Sequence, residues 1–146
     1  MSDQLAELTA RADTVLVQEW THTTADGQRL PMRNVIARFR PADTRRLLYL
    51  AHWDTRPMAD GPGSRDRNAP VPGANDGGSG VAVLLGMADA LQKAAPAIGV
   101  DLLFVDGEDF GVFSEDHDVL IGSRHYAANP LPGPKPRFAV LFDMVG

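Results

Sequence analysis

Four short stretches of this 146-residue chain carry side chains that can bind a metal ion or move a proton. His52 and Asp54 follow the apolar run Leu47-Leu48-Tyr49-Leu50-Ala51. Asp76 lies in Gly73-Ala74-Asn75-Asp76-Gly77-Gly78-Ser79-Gly80, just before a helical pattern. Glu108 and Asp109 close Asp106-Gly107-Glu108-Asp109 after the apolar run Val100 to Val105, and Asp143 follows Phe138 to Phe142. The chain has no cysteine, so any zinc here must take imidazole and carboxylate ligands. A carboxylate beside such an ion can also act as general acid or base.

Each stretch alone has a plainer reading. A lone His-Trp-Asp is more simply a packed histidine, and Glu108-Asp109 a solvated doublet. The glycine-rich run could cradle a phosphate. It lacks the Lys-Ser/Thr of a P-loop and the spacing of a dinucleotide fingerprint, so phosphate is set aside. Asp143 in an apolar context is harder to dismiss, because a buried carboxylate needs a partner. His117 and His125 fall in loop or helix-start sequence and read as surface groups.

The elements that must position these residues follow from periodicity. Gln4 to Ala12 carries Leu5, Leu8 and Ala12 at helical spacing. Thr14 to Thr21 and Asn34 to Phe39 read as strands around the Asp26-Gly27 turn, pairing as a long hairpin with an open loop. Pro41 to Thr44 is a second turn. Leu47 to Ala51, Val100 to Val105 and Phe138 to Phe142 are continuous apolar runs, the mark of strands covered on both faces. Ser79 is the expected cap of a helix from Gly80 to about Ala94, with Val81, Leu84, Leu85, Ala88 and Leu91 on one face. Residues 55–75 and 107–121 have no periodicity and read as long loops, which in compact domains are often functional. Ser123 to Ala128 begins a short helix, and Pro130 to Pro136 is a connector.

This order predicts an α/β fold with a mixed, mostly parallel central sheet, parallel inner strands and flanking helices in three layers. Ligands of such sheets bind beyond the carboxyl ends of the strands. Neighbouring strands lie about 4.8 Å apart, so side chains leaving adjacent ends can converge on one or two ions.

Composition limits the alternatives. The hydrophobic fraction is 44% and the charged fraction 23%, an ordinary globular balance for one domain. A net charge of −5 without a basic run gives no footprint for nucleic acid. No apolar stretch approaches the length of a membrane span. The start, Met-Ser-Asp-Gln-Leu-Ala-Glu, has no signal-peptide regions. The expectation is a cytoplasmic protein if that terminus is native, and a periplasmic or secreted one if a signal peptide has been removed.

Five segments occur in a telling order: Ala51-His52-Trp53-Asp54-Thr55, Gly73 to Gly80, Phe104-Val105-Asp106-Gly107-Glu108-Asp109, Gly122-Ser123-Arg124 and Phe142-Asp143-Met144-Val145-Gly146. From about Asn34 onward the chain resembles the zinc aminopeptidase and glutaminyl cyclase family of co-catalytic zinc exopeptidases. The resemblance implies that His52, Asp76, Asp109 and Asp143 bind zinc. Glu108 would be the general acid/base, and Asp54 would stand behind His52 and orient it.

An aminopeptidase would hold two zinc ions bridged by Asp76, whereas a cyclase would hold one, with Asp143 bonding the substrate. Either enzyme would act on peptide or protein N-termini. Hydrolysis is placed narrowly first and formation of N-terminal pyroglutamate second. A non-catalytic receptor-like relative comes last, because every ligand position here keeps ligand-competent chemistry. Two departures stand out. Asp109 occupies a position more often Glu, and the family's further histidine ligand comes from a C-terminal segment absent here. The expectation is a partial catalytic domain, 1–146, truncated after Gly146 and a poor metal binder by itself.

Overall fold

Alternation of apolar and polar residues makes the first two strands a hairpin. In the computed structural model, which describes residues 2–146, these are β1 (Thr14–Thr23) and β2 (Arg29–Phe39). They pair antiparallel from Thr14↔Arg38 to Thr23↔Arg29 around a loop at residues 24–28. Both strands run longer than the apolar pattern predicts, because hairpin hydrogen bonds carry the polar residues near the turn. Helix α1 (Ser2–Arg11) precedes them.

The remaining strands are β3 (Arg46–His52), β4 (Gly99–Val105) and the short β5 (Ala139–Leu141), with helices α2 (Gly78–Lys93) and α3 (Ile121–Ala128) between them. The sheet order is β1-β2-β4-β3-β5. β3 lies parallel to β4 and to β5, whereas β4 is antiparallel to β2. The sheet is therefore mixed, and its parallel portion contains the three strands that precede the acidic stretches.

Three layers form around this sheet. Leu8, Leu84 and Ala88 from α1 and α2 pack on Val35, Ala37, Ala51, Leu102 and Phe104. On the other face Ile36, Leu48, Leu103 and Val105 are covered by Tyr126 of α3 and Leu131. Every residue of β4 is buried, as its apolar run predicts. The run Phe138 to Phe142 behaves differently. Only three of its residues form a strand, and Phe138 and Leu141 are 60% and 52% exposed. Among the described residues β5 stands at one edge of the sheet, beside β3.

α2 also starts earlier than expected. Gly77 is the residue before its first turn, and Ser79 lies inside the helix, where its hydroxyl donates to the Asn75 carbonyl (2.6 Å). A single 3-10 turn, Phe113–Glu115, interrupts the loop before α3. Among the described residues no helix is long and apolar enough to cross a membrane.

Candidate metal centre at the carboxyl ends of the parallel strands

β3 delivers His52 as its last residue, 1% exposed. Its Nε2 lies 3.1 Å from Asp76 Oδ1 and 3.5 Å from Asp143 Oδ1. Ligand atoms of His52, Asp76 and Asp143 all fall within 4.8 Å of one another. Strand alternation explains the arrival of His52, and a glycine explains that of Asp76. Gly77 has φ +82°, and a Cβ there would strike the Asp54 carbonyl and sit 3.3 Å from His52 Cε1. Without a side chain at 77, the loop can press Asp76 against the imidazole. Gly80 acts similarly one turn later, where a Cβ would meet Ala51 Cβ at 2.8 Å. The segment after Asp143 is tied to the same loop. The Val145 N–H donates to Ser79 Oγ (3.0 Å), and the Gly146 N–H to Asn75 Oδ1 (2.8 Å).

Glu108 and Asp109 are buried, each 9% exposed, and so are not a solvated doublet. Asp54 holds them in place. Its two carboxylate oxygens accept the N–H groups of Glu108 and Asp109, at 3.0 Å each. Its distance to His52 Nδ1 is 3.5 Å, an electrostatic contact rather than a directed hydrogen bond. Asp54 thus anchors the acid-bearing loop more firmly than it orients the imidazole. Asn34, buried in β2, supports the same loop from below: its Oδ1 accepts the Asp106 N–H (3.0 Å) and its Nδ2 donates to the Gly122 carbonyl (2.9 Å). Neither role is visible in the sequence, where Asn34 merely opens a strand pattern.

The electrostatics of this pocket favour a cation. Burial opposes charge on His52, yet the carboxylates of Asp54, Glu108 and Asp109 raise its pKa to about 9. Burial pushes Asp106 up to about 6. It also raises Glu108, with Asp143, Asp109 and Asp54 adding repulsion. Asp109 is raised by burial first and then by Asp76. Four buried atoms, His52 Nδ1 and Nε2, Asp109 Oδ2 and Asp143 Oδ1, have no hydrogen-bond partner. Buried polar groups are rarely left so. Crowded carboxylates, an unsatisfied imidazole and partial exposure of Asp76 and Asp143 together fit a divalent ion open to solvent on one side.

Of the three remaining histidines, His22 pairs with Asp118 (2.7 Å), and His117 and His125 are likewise no part of the His52–Asp76–Asp143 cluster. His117 is exposed. His125 is half-buried and stacks flat on Trp20, with ring centroids 4.0 Å apart and planes 1° from parallel, so it serves packing more than a free surface.

A mixed α/β sheet with imidazole and carboxylates gathered at its parallel strand ends is the architecture of zinc exopeptidases. The chain belongs to peptidase family M28, which it matches over residues 34–146. A Zn-dependent exopeptidase from Parabacteroides distasonis superposes with a TM-score of 0.91 and is 38% identical, covering 99% of this chain and 52% of that one. The glutaminyl cyclase of Porphyromonas gingivalis superposes with a TM-score of 0.93 and is 39% identical, covering 99% and 51%. Glutaminyl-peptide cyclotransferase of Bos taurus is 30% identical over 93% of this chain and 42% of its own length. The chain thus spans about half the length of these solved relatives.

Proposed function

We propose that this chain carries the imidazole- and carboxylate-bearing part of a zinc-dependent enzyme acting on peptide N-termini, with aminopeptidase-type hydrolysis as the first reading. The observation that carries it is the convergence of His52, Asp76 and Asp143 within one ligand-sized cluster beside the buried Glu108 and Asp109. His52, Asp76, Asp109 and Asp143 would hold the metal, two ions in the hydrolytic reading. When bound, zinc polarises a scissile carbonyl and acidifies a water.

The chain's own residues do the rest. Glu108, its carboxyl raised by burial, takes the proton of the attacking water and returns it to the leaving amine. Asp54 fixes the backbone of Glu108 and Asp109, so the base does not swing away from the water.

Cyclisation of an N-terminal glutamine is the second reading, favoured by the P. gingivalis cyclase match over nearly the whole chain. There Glu108 carries the proton from the α-amine to the departing ammonia, and Asp143 bonds the substrate. In a protein of the length of its solved relatives, parallel assays of an aminoacyl-anilide and a Gln-initiated peptide separate the two, alongside metal analysis expecting about two ions or one. In either case Glu108→Gln lowers turnover by about 10²–10⁴-fold with metal content retained. Turnover near wild type in that variant would remove Glu108 from the mechanism.

A further inference from the structure

Two residues beyond Asp54, in the long loop at 55–75, one arginine makes more polar contacts than a surface residue requires. Arg56 Nε donates to Asp60 Oδ1 (2.8 Å) and Nη2 to Asp60 Oδ2 (2.7 Å), a two-point pair. Its Nη1 donates to the Asp109 carbonyl (3.0 Å) and also to the Gly111 carbonyl. Asp54 grips the same strip of backbone by its N–H groups. One short stretch of chain, 54–56, therefore holds the acid-bearing loop by its donors and by its acceptors.

We propose that Arg56, aligned by Asp60, is a positioning residue that sets the orientation of Asp109 and Glu108 for metal binding and proton transfer. This rests on the reading of those two acids given above. A planar guanidinium suits the task because its donors point in fixed directions, so two carbonyls and one carboxylate are held at once. A lysine ammonium is a point charge and cannot reproduce that fork. Asp60 is held in turn, since its carbonyl accepts from Arg67 Nη2 (2.7 Å) and the neighbouring Ala59 N–H donates to the Ala69 carbonyl (2.9 Å). The clamp thereby links the conformation of residues 59–69 to the acids.

The test compares wild type, Arg56→Gln, Arg56→Lys and Asp60→Asn by two readouts. The first is amide exchange of residues 108–111 in metal-free protein. The second is zinc affinity by chelator competition, with the visible spectrum of the cobalt-loaded protein as a report on ligand geometry. Arg56→Gln should speed exchange of the 108–111 amides at least tenfold, weaken zinc binding by about 10–100-fold and alter the cobalt spectrum. Arg56→Lys and Asp60→Asn should fall between it and wild type, and they carry the test if Arg56→Gln does not fold. Unchanged exchange overturns the clamp. Faster exchange with wild-type zinc affinity and cobalt spectrum overturns the positioning role. Asp76→Asn, run in parallel, tests the underlying reading separately: if it leaves zinc affinity intact, the metal site is wrong, while the exchange result still decides the clamp.

Discussion

Arg46 begins β3 and His52 ends it, and both are almost wholly buried, yet their surroundings differ in kind. Arg46 donates from Nε and Nη2 to the two oxygens of Asp101, at 3.1 and 2.6 Å. Its remaining donors reach the carbonyls of Phe39, Arg40, Pro41 and Asp43. Gly99 in β4 lies against the guanidinium and leaves it room. At the opposite end of the same strand, neither ring nitrogen of His52 has a hydrogen-bond partner, and buried oxygens of Asp109 and Asp143 share that condition. The Arg46–Asp101 pair is satisfied from within the fold, whereas the imidazole and carboxylates at the other end of β3 keep unpaired buried atoms close together, an arrangement that a cation would satisfy.

The largest effect that could break this contrast lies at the satisfied end. Asp101→Ala leaves Arg46 without its carboxylate and should cost about 3–5 kcal/mol in urea unfolding. A loss below about 1 kcal/mol would mean the pair is not structural. Next comes the junction of fold and site. Gly77→Ala puts a Cβ at φ +82° against the Asp54 carbonyl and should cost about 1–3 kcal/mol, with zinc affinity falling in the same variant.

At the unsatisfied end the metal-free fold should gain or be indifferent. Asp143→Asn removes one member of a repelling set and should leave metal-free stability unchanged or raise it by up to about 1 kcal/mol. A clear loss there would make Asp143 a structural group like Asp101.

The smallest effect belongs to a pair at the rim. Asp118 accepts the Ala25 N–H (2.9 Å) and meets His22 Nε2 at 2.7 Å, and these hold its pKa below the usual carboxylate value. A carboxyl lowered by folding stabilises above its unfolded pKa and loses that contribution as pH falls through its folded value. Asp118→Asn should therefore flatten the acid limb of the stability profile, by less than about 1 kcal/mol.

Much of the centre was legible because strand ends announce themselves. An apolar run that stops at His52, Asp106 or Asp143 turns its next side chains to one rim of a parallel sheet; His52, Asp76 and Asp143 gather there, and Asp54 holds the backbone of the buried Glu108 and Asp109. What escaped lies where periodicity is silent. Arg46 and Asp101 flank or interrupt apolar runs by a single residue, and only the β3–β4 register, Leu48 opposite Asp101, brings them together. Arg56 sits in a loop whose conformation no pattern encodes. The helix starts at Gly78 with Gly77 before it, rather than at Gly80 capped by Ser79, because close packing against Asp54 and Ala51 outweighs the preference for a hydroxyl cap. β5 reads as a buried strand of five residues, and three of them, Ala139–Leu141, form a strand at the sheet edge.

The most direct test of the contrast is the zinc dependence of unfolding, measured on wild type and Asp143→Asn at equal concentrations. A ligand that binds only the native state stabilises by RT ln(1 + [L]/Kd), about 2.7 kcal/mol at a hundredfold excess over Kd. Wild type should rise with zinc along that curve, and Asp143→Asn should rise far less at each concentration. A wild-type midpoint indifferent to zinc, or an equal rise in both proteins, would contradict the account.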